Sequence, residues 1–215
     1  MINRLFKFAL NNIPRPILIR LSYGVQAVAP IFLKGDKFID PIDGSMNFLR
    51  GYPQYSVSIA LLAKGEPIAA CIVDPCRQEV FSAAVDQGAT LNGKPIKIAN
   101  TERLQLAIAS TVFPKPSAAS MPDYLIQFER VVSTLSGVRR SGSMALELAY
   151  LASGRIDVFW SHDMGSWDAA AGVLLIREAG GHVFTMDDLI WHESSRIAAS
   201  APQLASQWIR LILAK

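Results

Sequence analysis

The segment Phe38-Ile39-Asp40-Pro41-Ile42-Asp43-Gly44-Ser45-Met46-Asn47-Phe48 constrains this chain more than any other stretch. A short apolar run leads into two aspartates three positions apart, with a proline between them and Gly-Ser directly after. This pattern predicts a strand ending at Ile39 with Asp40 at its tip. Pro41 fixes its own φ and keeps Asp40 extended, so the chain turns rigidly. Asp43 then folds back beside Asp40, and Gly44 lets the backbone come close to whatever the carboxylates hold. Two hard oxygen donors on a stiff turn, followed by N–H groups and a hydroxyl, suit a magnesium–phosphate site. The same residue types also make ordinary surface turns. Here the apolar flanks Phe38-Ile39 and Phe48-Leu49 place the turn at the edge of a core.

A second acidic motif lies far downstream, in Gly165-Ser166-Trp167-Asp168-Ala169-Ala170-Ala171-Gly172 and on to Glu178-Ala179-Gly180-Gly181. Ser166 reads as an N-cap, Ala169 to Glu178 as a helix, and Gly180-Gly181 as its stop. Asp168 falls in the first turn. An acid there also compensates the helix dipole, by about 0.3–1 kcal/mol. The small residues that follow point to a tightly packed N-terminal end, and Trp167 to a partly closed pocket.

Together these motifs resemble the inositol monophosphatase family of magnesium-dependent phosphatases. The resemblance runs from about Asp36 to about Pro202. Between the two motifs, Tyr55-Ser56-Val57-Ser58, Val73-Asp74-Pro75, Leu91-Asn92-Gly93-Lys94 and Arg140-Ser141-Gly142-Ser143 agree in order. The resemblance implies a layered α-β-α-β-α sandwich, a homodimer, and Mg²⁺ as cofactor. It implies that Asp40 bridges two ions, that the Ile42 carbonyl joins it on the first, and that Asp43 and Asp168 hold the second. It further implies that the Gly44 and Ser45 amides receive the phosphate, that the Ser45 hydroxyl positions the attacking water, and that Asp43 and Asp168 border the substrate, while Gly142 and Ser143, as small residues before a helix start, would let a substrate approach. Ser45 stands where the family usually has threonine.

Two departures bear on function. The family carries a Glu-Glu pair shortly before the D-P-x-D-G strand, and one of these glutamates binds the first ion. Here no glutamate precedes Glu66, and the first acid is Asp36. The family also often has a glutamate seven residues before the second-motif aspartate, where this chain has Ser161. The expected enzyme is therefore a weakened phosphomonoesterase of a small polyol or sugar phosphate. The competing reading is a non-catalytic remnant that serves binding or dimer formation.

Composition fits one domain: 215 residues, 51% of them hydrophobic, can bury one substantial core. Arg4, Lys7, Arg15, Arg20 and Lys34 precede every acid, so 21 basic residues less these five leave 16 against 18 acidic ones. No basic stripe interleaved with aromatics marks a nucleic-acid partner. Cys71 and Cys76 do not make a disulfide framework, and Cys71 reads as a reduced core residue. The expected location is cytoplasmic. Residues 1–35 read as an atypical basic, apolar segment before a domain at 36–215. That segment is open to four readings: a replaced start on a shortened family member, a poorly ordered extension, a transit segment, or a membrane-surface contact.

Coarser patterning supports an α/β fold. Alternating Val57, Ile59 and Leu61 predict a strand, followed by Pro67 to Asp74, Glu79 to Val85, and Ala89 to Ile98 with an Asn92-Gly93 turn. These form an antiparallel meander. Ala107 to Val112 and Ile156 to Trp160 read as further strands, and Asp123 to Ser136 and Ser143 to Ser153 as helices. His162, His182 and His192 lack ligand spacing. Glu178 reads as structural, and Arg139-Arg140 as either a phosphate lure or a solvated pair.

Overall fold

The computed structural model of the chain describes residues 37–214; the segment 1–35 lies outside them. Six strands make a purely antiparallel meander: β1 (Lys37–Asp43), β2 (Ser56–Ala63), β3 (Glu66–Asp74), β4 (Glu79–Ala84), β5 (Ala89–Leu91) and β6 (Lys94–Ile96). Each joins the next through a short connection, except that a one-turn helix, α1 (Ser45–Leu49), follows β1. Asn92 and Gly93 both have positive φ, as the tight β5–β6 turn demands.

The second sheet contains β7 (Ile108–Val112), β8 (Gly137–Arg139), β9 (Val158–Ser161), β10 (His182–Thr185) and β11 (Ile197–Ser200) in the order β10-β11-β9-β7-β8. β7 runs parallel to both β8 and β9, while β11 is antiparallel to β9 and β10. Parallel neighbours need crossover helices. These are α2 (Met121–Thr134) between β7 and β8, and α3 (Met144–Ala152) between β8 and β9. α4 (Ser166–Glu178) joins β9 to β10, and α5 (Ala205–Leu213) closes the described chain.

Alternation along the strands sorts side chains into layers. Ala60, Leu62, Ala70, Ile72, Phe81 and Ala83 of the first sheet pack on α3 and α4 in one continuous core. Phe159 of β9 joins that core from the other side. Its neighbours Val158 and Trp160 instead meet Tyr124 and Val131 of α2 and Trp208 and Ile212 of α5. Each such fully buried side chain contributes about 1.5–3 kcal/mol. The described layers thus run sheet, helices, sheet, helices, which is the expected sandwich without its first helical layer among the described residues.

Several boundaries differ from the sequence expectation. β1 does not end at Ile39 but continues to Asp43, because its pairing with β2 survives the proline through a bulge. α4 starts at Ser166 with Gly165 as its N-cap, one residue before the expected cap. α2 starts at Met121, with Pro122 in its first turn. Proline is tolerated there because its missing N–H would have no partner anyway.

Candidate metal centre

The bulge in β1 brings the first two acids together. Asp40 pairs with Ser58 and Asp43 with Ser56, so three steps on β1 match two on β2. On a regular strand, residues three apart face opposite sides. One extra residue restores both to the same side. Pro41 suits the bulge because it has no ladder N–H to lose. Asp168 arrives from the opposite direction, in the first turn of α4. Oxygens of Asp40, Asp43 and Asp168 lie within 4.8 Å of one another.

Each carboxylate is oriented through one oxygen. Ile42 N–H donates to Asp40 Oδ1 at 2.9 Å, Ala145 N–H to Asp43 Oδ2 at 2.8 Å, and Gly165 N–H to Asp168 Oδ2 at 3.1 Å. Asp43 Oδ2 also accepts from Ser143 Oγ at 2.5 Å. The backbone thus fixes three carboxylates and gives each a second oxygen to offer a ligand.

The crowding has an electrostatic signature. Burial raises the Asp43 carboxyl above its ordinary value, with Asp40 adding to the rise and the bonds from Ser143 and Ala145 opposing it. Burial, and then repulsion from Asp43, lifts Asp168 to about 7. Hard oxygens that are costly to leave charged together are the donor set that Mg²⁺ relieves.

The surrounding turns place the other expected residues. Gly44 has φ 85°, and a Cβ there would sit 2.9 Å from the Gln54 carbonyl and 3.1 Å from that of Gly142. Only glycine fits. Ser45 is exposed beside the acids and opens α1, but a five-residue helix has little macrodipole to lend an anion. Gly142 lies against the Asn47 side chain. Ser143 is fully buried with its hydroxyl on Asp43, so in this structure it holds the carboxylate instead of bordering open space. Ile42 is half-buried within the bulge. Trp167 is half-exposed and its ring covers Gly165.

Other candidates fall elsewhere. His162 is buried against Gln127, with 2.8 Å between Nε2 and Oε1. Glu178 accepts from the Asp86 and Gly88 amides at the β4–β5 turn, which makes it structural as expected. Arg139 ends β8, and the Arg140 guanidinium lies over the Phe113 ring. Sequence reasoning missed Glu147, whose burial in α3 has no local signature because its partner Ser141 precedes the helix.

Comparison with known proteins bears on the family and the fold. The profile of the inositol monophosphatase family matches residues 33–214. The chain is 43% identical over 147 residues to the protein named Nus factor SuhB of Pseudomonas aeruginosa, covering 67% of this chain and 54% of that protein. It is 41% identical over 143 residues to inositol-1-monophosphatase of Rhizobium meliloti, covering 66% and 54%. The chain therefore spans about half the length of these two relatives. Among solved structures, inositol monophosphatase from Anabaena superposes with a TM-score of 0.76 at 36% identity, covering 82% of this chain and 71% of that one. The extragenic suppressor protein suhB of Bartonella henselae gives a TM-score of 0.77 at 36% identity, over 82% and 68%.

Proposed function

The chain belongs to the inositol monophosphatase family, and from that premise we propose that it is a magnesium-dependent phosphomonoesterase acting on a small polyol or sugar phosphate. The observation that carries this reading is the meeting of Asp40 and Asp43 with Asp168, which is distant from them in sequence. Asp40, the Ile42 carbonyl, Asp43 and Asp168 would hold Mg²⁺. Bound there, the ions would activate water and neutralise charge on the transferring phosphate.

The chain's own residues do the rest. The Ile42, Ala145 and Gly165 amides keep the carboxylates in place before any ligand arrives. Gly44 permits close backbone approach, and the exposed Ser45 offers its N–H and hydroxyl to the phosphate and the attacking water. Gly142, across from Gly44, borders the substrate. Among the described residues only Asp40 and the Ile42 carbonyl are assigned to the first ion, so turnover by these residues should be low and need high Mg²⁺. The reading includes a homodimer and a cytoplasmic location.

Calorimetric titration of Mg²⁺ into wild type and Asp43→Asn, with phosphate release measured in parallel, tests the proposal. Binding and turnover should both be lost in the variant. Equal binding by the two proteins would sink the assignment.

A second reading is favoured by the relatives that bear the Nus factor name. On that reading the fold serves as a binding protein, and its partner is not confined to a small phosphate. Mg²⁺ binding without any phosphate release across a range of sugar and polyol phosphates would favour it.

A further inference from the structure

α3 contains a buried acid that the metal centre does not use directly. Glu147 is 1% exposed, and it is not one of the three clustered carboxylates. Its Oε1 accepts two bonds from one residue: Ser141 N–H at 2.8 Å and Ser141 Oγ at 2.5 Å. A buried charge is expensive unless hydrogen-bonded, so these bonds tie the turn firmly to the helix.

That turn is the hub of the site. The Ser141 carbonyl accepts from Asn47 Nδ2 at 2.8 Å, and its Oγ accepts from Gln54 Nε2 at 3.0 Å. Asn47 Nδ2 also donates to the Gln54 carbonyl at 2.7 Å. Two residues on, Ser143 caps α3 and turns its hydroxyl onto Asp43. Between them Gly142 adopts φ 91°, a conformation open to glycine. A single carboxylate thus anchors the turn that sets Asp43 on one side and α1 on the other.

We infer that Glu147 is a positioning residue for the metal centre, which fixes Asp43 through the Ser141-Gly142-Ser143 turn. The inference rests on the metal-binding reading above and assigns no contact between Glu147 and the ion. Groups that orient ligands in this way typically govern about 10–100-fold in metal affinity.

The test is Mg²⁺ calorimetry on wild type, Glu147→Ala and the isosteric Glu147→Gln, each with a thermal melt at the same pH. Asp157→Asn is the control, since Asp157 is also a buried carboxylate bound to a backbone amide, that of Ile108 at 2.7 Å, with no path to Asp43. Glu147→Ala should weaken Mg²⁺ binding about 10-fold or more, and Glu147→Gln should weaken it less but measurably. Asp157→Asn should melt earlier yet bind Mg²⁺ as wild type does. If Glu147→Ala does not fold, Glu147→Gln decides alone. Glu147 variants that melt earlier with wild-type affinity would overturn the positioning role and leave the metal site standing. Wild type that fails to bind Mg²⁺ would overturn both.

Discussion

Without a cation, Asp168 titrates near 7 instead of near 3.8, chiefly from burial and then from Asp43. The folded state therefore holds this proton more tightly than the unfolded chain does. Its contribution to stability is fully present below the ordinary aspartate value and is lost as pH rises toward 7. Asp168→Asn should accordingly melt later than wild type at pH 8 in EDTA, while abolishing Mg²⁺ binding and any turnover. An earlier melt with retained turnover would reduce Asp168 to a dipole-compensating acid. Because protons compete with the ion, Mg²⁺ affinity of wild type should fall as pH drops from 8 to 6, and a flat profile by calorimetry would contradict the crowded-carboxylate picture. The acids themselves were legible in the sequence, since their spacing and neighbours restrict what they can do. The bulge that unites Asp40 with Asp43 was not, because a bulge is a register relation with Ser58 and Ser56 on another strand.

α3 and α4 cross where Gly172 meets Leu148. A Cβ at Gly172 would fall 2.4 Å from the Leu148 Cβ, closer than any real contact. Gly172→Ala should cost about 1–3 kcal/mol through overpacking, read as a lower denaturation midpoint at unchanged slope. A variant as stable as wild type would mean that the helices can part at no cost. At this scale the six-stranded meander was readable, because each strand pairs with its neighbour in sequence and the turn residues mark the corners. The second sheet was only half readable. β8 is three residues long, and the sequence reading did not identify β10, β11 or α5. β11 pairs with β9, a partner distant in sequence, and β10 pairs with β11 in turn, relations that local periodicity cannot report.

At the largest scale the described residues place sheet, helices, sheet and helices around three clusters of buried apolar side chains, and a bound ion would join β1 of the first sheet to the start of α4. Mg²⁺ should thus raise the single melting transition of the full protein, by about 2.7 kcal/mol at 100 times Kd. An unshifted transition would show that no ion joins them. A second global effect comes from His162, whose pKa is lowered by burial and by Arg196 against the pull of Asp163, Asp123 and Asp187. Its Nδ1 is buried without a partner, so a second ring proton would find no acceptor. A lowered value means that the unfolded chain binds the proton first. The stabilisation is present above the ordinary value of 6.5 and is lost as pH falls below it. The loss of melting temperature between pH 7.5 and 5.5 should be smaller in His162→Gln than in wild type. Equal losses would assign the acid sensitivity elsewhere.

α4 is pinned at both ends. Asp168 in its first turn belongs to the carboxylate cluster, and Glu178 in its last grips the amides of Asp86 and Gly88. Each helical residue adds about 1.5 Å of rise and about 100° of rotation. One inserted residue between these acids would swing one of them off its target. Length change should therefore be forbidden within α4, so the helix acts as a gauge whose residue count is itself part of the site.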